Sequence, residues 1–175
     1  MTDKLIEYFE KSWKPDYSKF DLSGWKLLER IPKDASILDI GCGYNLLKPH
    51  FENLYGIDPA NDCADEVVSV EQFDSAGNQW DYVLCLGSLN FGGANIVKPQ
   101  VQRAVELCKR GGTIIWRQNP GLGDHPWKGV EHIKFFPWTF ELNYEWAELF
   151  DCTVEQCEWD TGNRIYAEWT KNSIR

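Results

Sequence analysis

Two glycines and an aspartate stand where a chain can bind a ligand through its backbone. Gly41 and Gly43 directly follow the apolar run that ends at Ile40, and Asp58 closes the next apolar run along the chain. Gly41 permits a tight turn, and Gly43 lets the main chain approach a ligand more closely than any side chain would allow. An ionised aspartate accepts hydrogen bonds through both oxygens, so Asp58 can hold both hydroxyls of a ribose. This pattern predicts a site for an adenosine-like ligand.

The elements around this turn predict an α/β fold. From residue 35 onward, short and nearly continuous apolar runs alternate with helical patterns, which is typical of strands buried on both faces. We expect strands at residues 36–40, 54–57, 67–70, 81–86 and 112–116, and a hairpin of residues 152–159 and 164–169. We expect two helices before the first strand, a helix-compatible segment at 46–51, a helix at 97–108 and another after a Thr139 cap. Such alternation forms a doubly wound, mostly parallel sheet with helices on both faces, which binds ligands beyond the carboxyl ends of its strands.

The composition disfavours several classes of protein. Asp and Glu outnumber Lys and Arg by 27 to 18 in the 175 residues, and the net charge of −9 argues against a nucleic-acid-binding surface. No apolar run approaches the ~18 to 20 residues that span a bilayer, and the N-terminus has no apolar leader, so we expect no membrane association and a cytoplasmic protein. The six cysteines include no CxxC pair, so we expect buried thiols in a reducing compartment and no metal site.

Four sequence blocks together resemble the class I S-adenosylmethionine-dependent methyltransferases. The blocks are Ile37-Leu38-Asp39-Ile40-Gly41-Cys42-Gly43, Gly56-Ile57-Asp58-Pro59, Gln79-Trp80-Asp81-Tyr82-Val83-Leu84-Cys85-Leu86-Gly87-Ser88-Leu89 and Cys108-Lys109-Arg110-Gly111-Gly112-Thr113-Ile114-Ile115. The resemblance covers residues 35–118, and the C-terminal hairpin also matches the family's plan. It implies a Rossmann-like sheet of seven strands, in which the antiparallel strand seven lies between strands five and six. We therefore expect one domain of residues 1–175, with N-terminal helices (1–34), a cofactor-binding core (35–118), and a lid loop, last helix and hairpin (119–175).

The resemblance also implies the cofactor and the residues that bind it. The cofactor would be S-adenosylmethionine, with S-adenosylhomocysteine as its product. The residues implied to surround the methionine part are Asp39, Gly41 and Gly43, and Asp58 would hold the ribose. Pro59 and Ala60 would lie beside the adenine, Phe73 or Asp74 near its other face or edge, and the backbone of Leu86 and Gly87 on the methionine side. The family's usual third small residue is Asn45 here, a residue type that adopts left-handed or helix-capping conformations.

Other chemistries of a glycine-rich turn fit this sequence less well. No GxxxxGK[ST] motif is present, which disfavours nucleotide triphosphatase or kinase-like chemistry. A nicotinamide site would have a small residue where Leu46 stands. The motif that the resemblance would require for methylating the exocyclic amines of bases is missing after the fourth strand, and no Pro-Cys pair supports methylation at carbon 5 of cytosine. A small molecule or a protein side chain is therefore the expected acceptor.

The residues that would act on the acceptor follow the fifth strand. The catalytic candidates are His125 and Arg117. Asp124 can orient the His125 ring as in a general base, although a histidine in a surface turn is the alternative, and Arg117 can instead pair with an acidic helix residue. Gly121 and Gly123 give the loop after that strand the flexibility of a lid. Further acceptor-side candidates are Tyr8, Trp13, Gln118, Trp127 and His132.

Two classes of function remain from the sequence. The first is methyl transfer, which proximity and orientation accomplish because the sulfonium is already an activated leaving group. The second is a noncatalytic protein that binds S-adenosylmethionine or S-adenosylhomocysteine, or a partner subunit of an active methyltransferase. Aminopropyl transfer has less support, because no acidic cluster near the fourth strand would hold a polyamine. The sequence leaves the oligomeric state open.

Overall fold

Six strands form one mixed sheet in the computed structural model, which describes residues 3–121 and 134–173. The strands are β1 (Ser36–Ile40), β2 (Asn53–Ile57), β3 (Trp80–Leu86), β4 (Cys108–Gln118), β5 (Cys152–Asp160) and β6 (Arg164–Lys171). Their order across the sheet is β2-β1-β3-β4-β6-β5. Strands β1 to β4 are parallel, and β6 pairs antiparallel with both β4 and β5. The predicted Rossmann-like sheet with a C-terminal antiparallel hairpin is confirmed.

The sheet has one strand fewer than the seven predicted. Residues 67–70 form no strand, and only an isolated parallel bridge between Ile57 and Glu66 lies at the outer edge of β2. The backbone N–H of Gly56 donates instead to the Asp65 carboxylate at 2.8 Å, and the Gly56 carbonyl accepts from the Asp65 N–H at 2.9 Å. Two further backbone bonds follow, from the Asp58 N–H to the Glu66 carbonyl at 3.2 Å and from the Val68 N–H to the Asp58 carbonyl at 3.1 Å. The pairing goes no further than Val68, so no strand forms, and Val67 is 58% exposed.

The described α-helices are α1 (Asp3–Lys11), α2 (Ala94–Leu107) and α3 (Phe140–Leu149). The Thr139 hydroxyl accepts a hydrogen bond from the Leu142 N–H at 3.1 Å, which confirms the predicted cap of the last helix. The second predicted N-terminal helix is a 3₁₀ helix at Gly24–Glu29, because Pro32 restricts the chain just beyond it. The segment 46–51 contains only a 3₁₀ turn at Lys48–His50, since Pro49 has no N–H to extend a helix.

Alternating side chains of the strands build a core on each face of the sheet. The face that includes Leu38, Val83 and Ile114 packs against α2 and α3. The opposite face includes Ile37, Leu84, Ile115 and Tyr166, and the 3₁₀ segments cover it through Leu27, Ile31, Leu47 and Phe51. Burial of each aliphatic side chain in these two cores contributes about 1.5 to 3 kcal/mol to the stability of the fold. The strands that carry the glycine turn are therefore held in place from both faces of the sheet.

Four cysteines, Cys42, Cys85, Cys108 and Cys152, are buried as predicted, whereas Cys63 is exposed. Among residues 3–121 and 134–173, no helix combines the length and the apolar character needed to cross a bilayer.

Candidate functional site

The glycine turn lies at the carboxyl ends of β1 and β2. The N–H groups of Gly41 and Cys42 donate to the Ile57 carbonyl at 2.8 and 3.1 Å, which joins the turn to the last residue of β2. Gly41 and Gly43 have φ angles of +74° and +55°, a conformation that side chains disfavour. The tight turn predicted at Gly41 is therefore present at the predicted edge of the sheet.

Asp58 lies directly against this turn. Its Oδ2 atom accepts the N–H of Gly43 at 2.9 Å, and its Oδ1 atom accepts the N–H of Ala60 at 2.8 Å. The side chain is buried, so these bonds fix the carboxylate beside the glycine backbone. A carboxylate has about four lone-pair sites and can accept further hydrogen bonds in this position.

Asp39 places a second carboxylate below the same turn. The residue is 2% exposed, and its carboxylate has no hydrogen-bond donor among the residues that the structure describes. Burial, and then the charge of Asp58, raise the pKa of Asp39 to about 7. A buried carboxylate without a donor is costly when ionised, and it favours a cationic ligand.

Two side chains fill the space that the glycines leave. A methyl carbon on Gly41 would lie 2.2 Å from Cβ of Ser88, and one on Gly43 would lie 2.3 Å from the Cζ3 atom of Trp13. The Trp13 ring is parallel to that of Tyr44, with ring centroids 5.9 Å apart. The Ser88 hydroxyl is buried and has no hydrogen-bond partner among the described residues.

Asn45 holds the left-handed conformation that its residue type permits, with φ at +55°. Its side-chain amide turns away from the glycines and donates to the Cys63 carbonyl at 3.2 Å and to Asp65 at 3.4 Å. It starts no helix. Asn45, which stands where the resemblance implies a small residue, thus joins the glycine turn to the loop that follows Asp58.

The remaining predicted cofactor residues divide into two groups. Pro59 and Ala60 are half-buried directly after Asp58, and Leu86 ends β3 beside Gly87, close to the glycine turn. Phe73 and Asp74 come after the loop that follows Asp58.

The side chain of Phe73 is packed into the core. Its ring lies 6.1 Å from that of Tyr55 and 5.9 Å from that of Trp80, the first residue of β3. Asp74 is exposed, and its carboxylate accepts the Ala76 N–H in a local turn. The prediction that Phe73 or Asp74 lies near the other face or edge of the adenine stays a prediction, and the Phe73 ring packs at the amino end of β3.

Arg117 is bound by the last hairpin. Its Nη2 atom donates to the Thr161 carbonyl at 2.7 Å, its Nε atom lies 3.4 Å from Asp160, and its guanidinium lies 4.1 Å from the centre of the Phe20 ring. Burial lowers the pKa of Arg117 to about 10, although the charge of Asp160 opposes this shift. These contacts support the alternative interpretation of Arg117 as an ion-pair residue, with a hairpin aspartate in place of a helix residue.

His125, Trp127, His132 and most of the predicted lid loop lie outside the described residues. The predictions for them stay predictions.

Tyr17 is a residue near the site that sequence reasoning missed. Burial raises the pKa of its phenol, the nearby charges of Asp39 and Cys42 raise it further, and that of Arg117 opposes them. The ring packs against Trp25 with centroids 5.3 Å apart. Its position depends on how the N-terminal segment folds back on the sheet, for which the sequence carries no local signal.

Asn90 and Asn119 were also missed, although both are buried at the carboxyl ends of β3 and β4. The side chain of Asn90 accepts the Asn119 N–H at 3.0 Å and donates to the Gly87 carbonyl at 3.0 Å. The side-chain nitrogen of Asn119 is buried without a partner in the described part of the chain. The two loops that end these strands are therefore held together next to the glycine turn.

Comparison with known proteins agrees with this geometry. No protein-family model matches the sequence, and no curated protein matches it. Solved structures do match. N-methyltransferase NodS from Bradyrhizobium japonicum WM9, in complex with S-adenosylhomocysteine, has a TM-score of 0.70 at 14% identity, over 98% of this chain and 100% of that one.

Two other solved structures agree with it. Magnesium protoporphyrin IX methyltransferase from Synechocystis PCC 6803, with bound S-adenosylmethionine, has a TM-score of 0.68 at 12% identity over 98% of each chain. Burkholderia thailandensis 1,6-didemethyltoxoflavin-N1-methyltransferase, with bound 1,6-didemethyltoxoflavin and S-adenosylhomocysteine, has a TM-score of 0.62 at 12% identity over 81% of this chain and 72% of that one. The chain has the fold of the S-adenosylmethionine-dependent methyltransferases.

Proposed function

We propose that this protein binds S-adenosylmethionine and transfers its methyl group to a small-molecule or protein acceptor. The observation that carries the proposal is the pair of buried aspartates at the glycine turn. Asp39 has no hydrogen-bond donor among the described residues, and Asp58 is hydrogen-bonded to Gly43. Both stand at the carboxyl ends of neighbouring parallel strands, the edge where open α/β sheets bind their ligands.

The residues at this edge fit the parts of such a cofactor. The carboxylate of Asp39 suits the ammonium group of a methionine moiety, because an opposite charge compensates a buried ionised group. Asp58 retains lone pairs for the hydroxyls of a ribose, and Ser88 has a buried hydroxyl without a partner among the described residues. We infer that Pro59 and Ala60 contribute to the adenine side.

The chemistry requires little more of the protein than positioning. A bound S-adenosylmethionine supplies a methyl group on a sulfonium, which is already an activated leaving group. The contribution of this chain is to hold the cofactor between Asp39 and Asp58, to keep water from it, and to align an acceptor atom. Asn90 stabilises the loops on the acceptor side through its bonds to Gly87 and Asn119.

The charge of the chain favours one group of acceptors. A net charge of −9 opposes the approach of a polyphosphate, and a small molecule or a protein side chain has no such barrier. Two of the similar structures are named for small-molecule acceptors, a magnesium porphyrin and a toxoflavin precursor. We therefore propose the small-molecule class as the first to screen.

Calorimetric titration with S-adenosylhomocysteine tests the cofactor. Asp58→Ala removes charge-assisted hydrogen bonds worth about 1.5 to 3 kcal/mol, so we expect binding roughly 10- to 150-fold weaker. Asp34→Ala, at an exposed aspartate before the amino end of β1, is the matched control and should bind like the wild type. Equal binding of S-adenosylhomocysteine by the wild type and Asp58→Ala would contradict the proposal.

Turnover is measured separately. The protein is incubated with S-adenosylmethionine and either the small-molecule or the protein fraction of a cell lysate, and S-adenosylhomocysteine is quantified. We expect product with one fraction and none without it. Tight cofactor binding with no product from either fraction would favour the noncatalytic binding function.

A further inference from the structure

The N-terminal segment contacts the glycine turn at the point where a ligand would contact it. Trp13 lies over Gly43 so closely that a methyl carbon on the glycine would be 2.3 Å from one ring carbon and 2.9 Å from another. The indole is thus in van der Waals contact with the Gly43 main chain. Separate layers of atoms need about 3.5 to 4.0 Å between carbons, so no ligand layer fits between the two.

We propose that residues 3–13 are a built-in competitor for the cofactor, with Trp13 occupying the face of Gly43 that bound S-adenosylmethionine or S-adenosylhomocysteine requires. This inference rests on the proposed function, because it assumes that the cofactor binds at the glycine turn. Binding then requires Trp13 to leave, and the protein alternates between a self-occupied state and a state open to the cofactor.

Among the described residues, the contacts given for the segment are mostly aromatic. Phe9 packs edge-on against Phe91 at 5.6 Å and against Trp13 at 5.7 Å, and Trp13 stacks on Tyr44. Within α1 only Leu5 is fully buried. Aromatic pairs of this kind are individually weak, so the segment can separate from the turn without unfolding the sheet.

The chain is anchored just beyond this segment. The Asp160 carboxylate accepts the N–H groups of Asp21 and Leu22 at 3.0 and 3.1 Å and the Ser23 hydroxyl at 2.6 Å. Residues 21–23 therefore stay on the hairpin while the segment before them moves. Tyr17 packs against Trp25 and Phe20 against the Arg117 guanidinium, so the chain would change direction between Trp13 and Tyr17, a stretch that includes Pro15.

If Trp13 occupies the site in most molecules, the apparent affinity for the cofactor equals the affinity of the open state multiplied by the fraction of molecules that are open. Minor states of proteins are commonly populated at about 0.1 to 10%. Trp13→Ala removes the competing ring, so we expect it to bind S-adenosylhomocysteine about tenfold more tightly or better. Phe9→Ala loosens the same segment without touching the turn and should give a smaller gain.

The experiment compares S-adenosylhomocysteine binding by the wild type, Trp13→Ala, Phe9→Ala and Trp159→Ala in calorimetry. Trp159 is 55% exposed on β5 and serves as the matched tryptophan control, for which we expect wild-type affinity. Hydrogen exchange of the wild type with and without S-adenosylhomocysteine is the second measurement, and it needs no variant. We expect faster exchange of residues 3–13 when the ligand is bound.

The outcomes separate the two proposals. If the wild type binds and Trp13→Ala binds equally or more weakly, Trp13 is a wall of the site and the competitor inference is wrong, while the proposed function stands. Slower exchange of residues 3–13 on binding would likewise overturn it, because it would mean that the segment closes over the ligand. If neither the wild type nor any variant binds, the proposed function itself fails.

Discussion

The buried carboxylate of Asp39 should make cofactor binding depend on pH. Its pKa is raised to about 7, by burial first and by the charge of Asp58 second. A ligand ammonium favours the ionised carboxylate, so binding should expel the proton. If only the ionised form binds, about a tenth of the molecules are competent at pH 6 and about nine-tenths at pH 8. We expect the affinity for S-adenosylhomocysteine to rise about tenfold over this interval.

Calorimetry at pH 6, 7 and 8, in two buffers with different ionisation enthalpies, measures both the affinity and the protons released. We expect release of about half a proton per ligand at pH 7. Burial raises the pKa values of Cys42, Cys85 and Tyr17, so these neighbours stay protonated across the interval. Asp39→Asn is the control, because its side chain has the same shape and cannot ionise. Any pH dependence that remains in this variant near pH 8 comes from the ligand's own amino group.

Two results would refute this reasoning. One is a wild-type affinity that does not change between pH 6 and 8, with no proton released. The other is the same pH dependence in Asp39→Asn as in the wild type, which would assign the titration to another group.

The same carboxylate gives a prediction for the protein without ligand. An acid whose pKa is higher in the folded than in the unfolded state stabilises the fold most below its unfolded pKa, near 4, and loses that contribution as the pH rises to about 7. Asp39→Asn should therefore melt at a higher temperature than the wild type at pH 8, and the difference should shrink steadily and nearly vanish by about pH 4. A lower melting temperature of the variant at pH 8 would show that the ionised carboxylate is stabilised by a contact other than those described.

Two further predictions concern residues that hold the surroundings of the site. Asp160→Ala leaves the N–H groups of Asp21 and Leu22 and the Arg117 guanidinium without their acceptor, so we expect a loss of about 3 to 5 kcal/mol and a melting temperature lower by roughly 6 to 20 °C. Asp34→Ala, at an exposed aspartate, should melt like the wild type, and equal melting of both variants would contradict this account. Burial raises the pKa of Asp160, but hydrogen bonds from Ser23 and the backbone outweigh burial and leave this pKa below its usual value. Asp160→Asn should therefore be less stable than the wild type by its full amount at pH 7, and this difference in stability should fade below about pH 4. At Asn45, with φ at +55°, Gly keeps the backbone conformation and loses only the side-chain bonds to Cys63 and Asp65, whereas Ala loses those bonds and also strains the backbone. Thermal melting should therefore rank wild type above Asn45→Gly above Asn45→Ala. The reverse order of the two variants would mean that the backbone conformation is not what Asn45 supplies.

The sequence predicts the strands and the glycine turn well because both depend on local features. A continuous apolar run can only be buried, and Gly41 and Asp58 stand where such runs stop. Residues 67–70 show the limit of that reasoning. Their apolar character suits a strand, but the Asp65 side chain binds the Gly56 N–H and the backbone pairing beside β2 stops at the bond from the Val68 N–H to the Asp58 carbonyl, too early to form a strand.

The parts of the site that could not be predicted come from contacts distant in sequence. No pattern around Trp13 indicates that its ring will rest on Gly43, since this follows from the path of the whole N-terminal segment. The packing of the Phe73 ring between Tyr55 and Trp80 likewise joins residues that are 18 and 7 positions away in the sequence. Asp160 reads as part of a hairpin turn, and its bonds to residues 21–23 are visible only in three dimensions.

The bonds of Asp160 also set an order in which the molecule can be completed. They join positions 137 to 139 residues apart, so they close one of the longest loops the chain can make. During synthesis, the glycine turn and Asp58 leave the ribosome long before Asp160 does. Until the last hairpin has formed, residues 21–23 lack their hydrogen bonds to Asp160, and the position of the segment before them is not fixed. The nascent protein therefore exposes the proposed ligand-binding edge first and fixes the segment that lies over it last.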